Sequence, residues 1–235
     1  MQECGSRINN PLGEKYFLSL LHALPLVIMY LVKTPFWLKR IYHNYHWDFT
    51  KKDKKLYLTF DDGPHPKVTT FVLEQLKRFD AKATFFCVGE NVSLFPETFK
   101  QITDQGHAIG NHTYNHLNGW KTDTEVYLHN INKASTFISS SLFRPPYGRI
   151  RKEQGKALMS KGYQIIMWDV LSADFDQKLS PEKCLQNVIK NAVSGSIIVF
   201  HDSEKAFKNL YFALPKVLDY FSQKGFSFDA VKAVP

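Results

Sequence analysis

The run Lys55-Leu56-Tyr57-Leu58-Thr59-Phe60 stacks apolar side chains as a largely buried strand does, and it runs straight into Asp61-Asp62-Gly63-Pro64. This junction constrains the fold more than any other stretch. An ionised carboxylate at the end of a core strand is costly unless something binds it. The arrangement recurs along the chain. His112 and His116 follow Ala108-Ile109, Arg144 follows Phe143, Asp169 and Asp174 follow an apolar stretch after Gln164, and His201 ends Ile197-Ile198-Val199-Phe200. Strands are predicted at 56–60, 83–88, 108–109, 143–145, 164–169 and 196–200, with a last one from 227. Helices are predicted between them at 67–79, 95–105, 124–139, 152–161, 181–192 and 209–223. Repeated strand–helix units imply an α/β fold with a parallel sheet or barrel, whose chemistry belongs at the C-terminal ends of the strands.

A chain of 235 residues with 44% hydrophobic content can bury one sizeable core. The formal charge of +8 favours acidic partners, but the basic residues are scattered and no zinc-finger or helix-turn-helix spacing is present. No nucleic-acid partner is expected, and a monomer is favoured. Cys4, Cys87 and Cys184 are odd in number and lack paired spacing, which argues against a disulfide framework. Residues 16–32 are mostly apolar, interrupted by His22 and Pro25 and flanked by Lys15, Lys33, Lys39 and Arg40. That is marginal against the ~20 residues of a spanning helix. Three readings stand: membrane association through 16–32, a helix packed on the domain, and an upstream extension that is absent if translation starts at Met29. Residues 33–54 read as a basic, aromatic connector.

His112 and His116 share a face if the segment between them is helical, with Asn111 at the N-cap position. Two imidazoles and one carboxylate suit zinc and leave positions for water and substrate. Cobalt, manganese or iron can take the same donors. Of Asp61 and Asp62, one would bind the metal and the other would accept a proton from an acidified water. His201 is a candidate acid for a departing amine, given a carboxylate to fix its tautomer and raise its pKa. In Arg144-Pro145-Pro146-Tyr147-Gly148 the prolines stiffen the turn and leave the Tyr147 N–H to be aimed outward, as an oxyanion hole requires. Arg144 can pair with the base carboxylate and keep it ionised. Trp120 is a sugar-stacking platform or a core residue, and the sequence does not choose. Alone, each motif has an ordinary reading as a turn or a solvated pair; five strand ends carrying them together do not.

Thr59-Phe60-Asp61-Asp62-Gly63, His112-Thr113-Tyr114-Asn115-His116, Arg144-Pro145-Pro146-Tyr147-Gly148, Ser172-Ala173-Asp174-Phe175 and Val199-Phe200-His201, in that order, resemble the five motifs of the polysaccharide deacetylase family. This is the NodB-homology group, carbohydrate esterase family 4, of chitin and peptidoglycan deacetylases. The resemblance runs from about Lys55 to Phe228. It implies an irregular (β/α) barrel, expected to be seven-stranded, over a catalytic domain at 51–235, with 1–50 set apart as an apolar and basic segment. It implies Asp61 as general base, Asp62, His112 and His116 as metal ligands, Arg144 as the tether of the base and the Tyr147 amide as oxyanion donor. Asp174 would orient His201. Pro146, Tyr147, Phe175, Val199 and Trp120 would face substrate. Phe175 and Val199 depart from the family's usual Trp and Leu, which enlarges an apolar pocket for the acetyl methyl.

The expected activity is metal-dependent removal of acetyl from N-acetylated amino sugars of a polysaccharide, peptidoglycan or a related envelope glycan first. Chitooligosaccharide deacetylation, acetylxylan de-esterification and a non-catalytic carbohydrate-binding module are the alternatives; binding alone needs neither Asp61 nor His201. The bacterial cell envelope is the expected location, or the cytoplasm if translation starts at Met29 without an export signal.

Overall fold

The chain alternates strands and helices from Lys55 onward. The strands are β1 (Lys55–Asp61), β2 (Thr84–Cys87), β3 (Ala108–Asn111), β4 (Leu142–Phe143), β5 (Gln164–Ile165), β6 (Val170–Leu171), β7 (Ile197–His201) and β8 (Ser227–Phe228). The helices are α1 (Phe36–Ile41), α2 (Pro66–Arg78), α3 (Gly89–Leu94), α4 (Pro96–Asp104), α5 (Thr124–Ser135), α6 (Lys152–Ser160), α7 (Pro181–Ile189) and α8 (Phe207–Gln223). The computed structural model describes residues 30–49 and 52–232. The three readings of residues 16–32 fall almost wholly outside the described residues. Among the described residues no helix is long and apolar enough to cross a membrane.

Every strand pair is parallel, in the order β5-β4-β3-β2-β1-β7-β6, with β8 beside the start of β1. The sheet curls into an open half-barrel, the irregular seven-stranded α/β form expected from the motifs. Period-two alternation divides its two faces. Leu56, Leu58 and Phe60 on β1, Phe85 and Cys87 on β2, and Ile198 and Phe200 on β7 pack outward against apolar stripes of α2, α7 and α8, including Val72, Leu76, Val188, Leu214 and Val217. Each fully buried large apolar side chain contributes about 1.5–3 kcal/mol by removal from water. The intervening residues, among them Thr59, Asp61, Val199 and His201, therefore turn to the inner face.

Helix starts carry ordinary signals. Pro66 follows a cap in which His65 Nδ1 accepts from the Val68 N–H at 3.3 Å, and Ser180 Oγ accepts from the Lys183 N–H at 3.2 Å ahead of Pro181. α5 ends at Ser135, before the predicted 139, because the chain must turn into β4; Ser140 Oγ donates to the Ile109 carbonyl at 2.7 Å.

Two expectations are corrected. The strand predicted at 164–169 is cut short to β5, and β6 starts only after it, because Arg144 takes the carbonyls of Ile166 and Met167 at 3.0 and 2.9 Å. The gap is filled from the N-terminal side: the His46 N–H donates to the Ile165 carbonyl at 2.9 Å, and the Met167 N–H donates to the His46 carbonyl at 2.7 Å. The supposed connector is accordingly part of the fold up to Phe49, and one compact unit begins at Val32. Tyr45 and Trp47 are buried with Tyr127, Phe143 and Ile165. Lys33 and Lys39 each reach the buried Asp169 carboxylate at 2.5 Å, which also accepts from Ser196 Oγ at 2.5 Å. Asp169 thus belongs to the base of the half-barrel, and Asp174 to its upper rim.

Candidate active site

Parallel register sets Asp61 on β1 directly beside His201 on β7. Both face inward at strand ends, which is why two titratable groups far apart in sequence share one site. Asp61 is buried, and its Oδ1 accepts from Arg144 Nη1 at 2.7 Å. The same nitrogen donates to Thr59 Oγ1 at 2.7 Å. With the Ile166 and Met167 carbonyls already noted, the fully buried guanidinium is bonded on all sides and lies 4.1 Å from the centre of the Phe86 ring. A buried charge survives only with such saturation.

On the other flank His201 Nδ1 donates to Asp174 Oδ1 at 2.7 Å, and the His201 backbone N–H donates to Asp174 Oδ2 at 2.8 Å. Burial opposes charge on the imidazole. The Asp174 charge and hydrogen bond, with the fields of Asp62 and Asp61, outweigh it and push the His201 pKa up to about 9. Nε2 is left to face the site. Phe175 meets the imidazole edge-on at 5.1 Å, and Val199 lies two residues below His201 on the inner face.

Between these flanks sits the cluster Asp62, His112 and His116, whose potential ligand atoms all lie within 4.8 Å of one another. Asp62 Oδ1 is 3.1 Å from His116 Nε2 and 3.7 Å from His112 Nε2, yet it is buried without an aligned donor. His112 Nδ1 donates to the Arg144 carbonyl at 2.8 Å, and His116 Nδ1 pairs with the Tyr147 hydroxyl at 3.1 Å. With each Nδ1 engaged, both Nε2 lone pairs turn to the same point as the carboxylate oxygen. Burial pushes His112 down to about 4, keeping it neutral. Burial would raise Asp62, but His116, His201 and His112 hold it well below the usual carboxylate range. Two imidazoles and one carboxylate, whose buried Oδ1 has no donor, are a donor set fitted to one divalent cation.

The histidines do not reach this point from a helix, as the sequence suggested. His112 and His116 lie in irregular chain after β3, with Thr113 at φ 66° and His116 at φ 59°. Asn111 is the last residue of β3 rather than a cap; its Oδ1 accepts from the Thr113 N–H at 2.8 Å and its Nδ2 donates to the Ile131 carbonyl at 3.1 Å. Thr113 Oγ1 accepts from the Leu117 N–H at 3.1 Å, and Asn130 Oδ1 from the Tyr114 N–H at 2.8 Å. Side-chain amides thus hold a loop that local propensity alone would leave open.

Tyr147 also has positive φ, 61°, in the turn after the buried Pro145 and Pro146, and among the described residues no carbonyl accepts its N–H. Trp120 lies on the turn Gly119–Lys121 with 57% of its surface exposed, so it is not a core residue. Asp202, which the sequence marks as a structural or supporting residue next to His201, is buried and accepts from the Gly63 N–H at 3.0 Å and Thr69 Oγ1 at 2.5 Å. Burial, with the field of Asp62, pushes it up to about 7 against the hydrogen bond from Thr69. A Cβ on Gly63 would stand 2.0 Å from Asp202 Oδ2, so only glycine lets the Asp61-Asp62 turn close on this clamp. Thr59 was missed too, although its place two residues before Asp61 puts it on the same face.

Comparison with known proteins follows this geometry. The family profile of polysaccharide deacetylase matches residues 48–166. A peptidoglycan-N-acetylglucosamine deacetylase of Bacillus cereus is 34% identical over 83% of this chain and 73% of its own length. A chitooligosaccharide deacetylase of Azorhizobium caulinodans is 34% identical over 65% of this chain and 76% of its own. The crystal structure of the Bc1960 peptidoglycan N-acetylglucosamine deacetylase, in complex with 4-naphthalen-1-yl-N-oxidanyl-benzamide, superposes with a TM-score of 0.78 at 32% identity, over 84% of this chain and 95% of that one. In fold, in motif order and in overall sequence, the chain belongs to the polysaccharide deacetylase family.

Proposed function

We propose that this chain hydrolyses the acetamide of N-acetylglucosamine in peptidoglycan, releasing acetate and leaving a free amine. The observation that carries the reading is the Asp62, His112 and His116 cluster flanked on one side by Asp61–Arg144 and on the other by His201–Asp174. The B. cereus relatives support peptidoglycan as substrate; the likeness to a chitooligosaccharide deacetylase keeps short chitin-type oligomers as the second reading.

Zinc is the cation we assign to Asp62, His112 and His116, because two imidazoles and a carboxylate match its borderline softness. When bound there it supplies an acidified water and polarises the amide carbonyl. Asp61 accepts the proton of the attacking water, held in place by Arg144. The Tyr147 N–H donates to the oxygen on which negative charge develops. His201, charged at neutral pH, donates from Nε2 to the nitrogen as the C–N bond breaks, while Asp174 keeps Nδ1 protonated. Val199 and Phe175 close an apolar wall around the acetyl methyl, and Pro146 and Tyr147 border the sugar. Acetate release from peptidoglycan, chitooligosaccharides and acetylated xylan, with mass spectrometry locating the altered sugar, tests the assignment. Release from xylan alone would overturn it.

Asp61→Asn should retain metal and lose about two or more orders of magnitude in turnover. A near wild-type rate would remove Asp61 from its role. His201 carries a raised pKa, so its acid form is present below about pH 9 and is lost above it. The wild-type rate should fall through that window, and His201→Ala should lose this basic limb along with a similar factor in rate.

Residues 16–32, we further propose, hold the enzyme at a bacterial membrane, so that the unit from Val32 onward works as the catalytic domain in the envelope. In support, α1 follows in sequence and exposes Phe36, Trp37, Ile41 and Tyr42 beside Arg40, the composition of an interfacial segment. Full-length protein should sediment with membranes and resist high salt; release by salt would discard the anchor. A chain starting at residue 32 should be soluble and stable. One starting at residue 51 should lose about 3 kcal/mol or more in urea unfolding, because the buried Asp169 carboxylate is left without Lys33 and Lys39 and the core loses Tyr45 and Trp47.

A further inference from the structure

Trp120 and Arg149 form a preorganised platform beside the candidate active site. The Arg149 guanidinium lies 5.2 Å from the centre of the Trp120 ring, and the indole N–H is pinned to the Ile150 carbonyl at 3.1 Å. Arg151 Nη2 donates to the Trp120 carbonyl at 3.0 Å. The turn beneath is fixed by the buried Gln154, whose Nε2 donates to the carbonyls of Gly119 and Thr122 at 3.0 and 3.2 Å. One guanidinium therefore lies over the indole and a second holds the backbone beneath it, with Lys121 and Lys152 next to them in sequence.

The carboxylates nearest in sequence leave this charge unanswered. Asp123 caps α5 through the Glu125 N–H at 2.9 Å, and among the described residues no ion pair joins Asp123, Glu125 or Glu153 to Arg149, Arg151, Lys121 or Lys152. The Arg149 side chain has no hydrogen-bond acceptor among them either. Its neighbour two residues back is Tyr147, whose ring lies 4.6 Å from that of His116. Two residues of chain span at most about 7 Å, so the platform lies within reach of the sugar next to the one being hydrolysed.

We infer that Arg149, placed over the ring of Trp120, is a carboxylate-binding subsite, and that the preferred glycan carries a carboxylate on the unit adjacent to the N-acetylated sugar. This rests on the deacetylase reading and names its substrate class. Contact with the indole restricts the guanidinium before binding, which lowers the ordering cost of a contact with a carboxylate. It also changes the role of Trp120: one ring face is already taken by Arg149, and the indole acts by positioning that charge.

The test compares two tetrasaccharides, tetra-N-acetylchitotetraose and one in which alternate units are N-acetylated sugars bearing a carboxylate ether. Wild-type enzyme should prefer the acidic glycan, mainly through KM. Arg149→Gln should reduce the ratio of the two kcat/KM values about tenfold, the scale of one charge-assisted hydrogen bond at an exposed site. Equal kcat/KM for the two glycans in the wild type, or an unaltered ratio in the variant, would overturn the subsite. Equilibrium titration of both glycans separates this from the deacetylase reading. Arg149-dependent binding of the acidic glycan without acetate release would keep the subsite and overturn the activity, whereas release of acetate with no binding preference would do the reverse.

Discussion

His116→Ala is expected to abolish stoichiometric metal binding, and acetate release with it, while the protein stays folded. His116 is half-buried in irregular chain, and its side chain touches little beyond Asp62, His112 and Tyr147. Histidine already carries a Cβ at φ 59°, so alanine adds little backbone strain there, too little to unfold a domain of this size. His112→Ala should lose metal equally but cost more stability. It removes the donor to the buried Arg144 carbonyl at 2.8 Å, and an unsatisfied buried acceptor costs about 1–3 kcal/mol. Elemental analysis after dialysis reads occupancy, and thermal unfolding reads the fold. Full zinc occupancy in the double variant would end the assignment of this cluster as the metal site.

The two histidines also show where sequence reading stops. Their chemistry was legible, because a His pair beside an Asp-Asp turn has few other uses, and the Asp62, His112 and His116 set converges in space. Their conformation was not. A spacing of four fits one helical turn, but Thr113 and His116 adopt positive φ under bonds from Asn111 and Asn130. The first is a local side-chain turn and the second spans sixteen residues, and neither leaves a periodicity. The strand ends of β1 and β7 were readable from apolar runs, and the Asp61–His201 adjacency then followed from parallel register. The break between β5 and β6 was hidden, since an arginine 22 and 23 residues earlier in the chain takes the carbonyls that a neighbouring strand would otherwise use. For Asp202 a structural place was readable but its partners were not. Gly63 and Thr69 are distant in sequence, and only the tertiary fold closes them into a buried clamp.

Arg144→Met should be the most damaging single change in the chain, costing about 3–5 kcal/mol of stability and turnover together. Methionine matches the aliphatic stem, so the loss lies in the head group. Without it Asp61 becomes a buried carboxylate with no counter-charge, Thr59 loses a partner at 2.7 Å, and the Ile166 and Met167 carbonyls are orphaned at the sheet break. Arg144→Lys keeps the charge but not the fork. An ammonium can answer Asp61 yet cannot span acceptors on two sides, so it should recover only part of the stability. Adding Asp61→Asn to Arg144→Met separates the two costs. If the orphaned carboxylate dominates, the double variant should be more stable in urea than Arg144→Met alone, by about 1 kcal/mol or more, although both remain inactive. If the double variant is no more stable, the carbonyls at the break account for the loss, and Arg144 is first a structural closure of the half-barrel and only then a partner of Asp61.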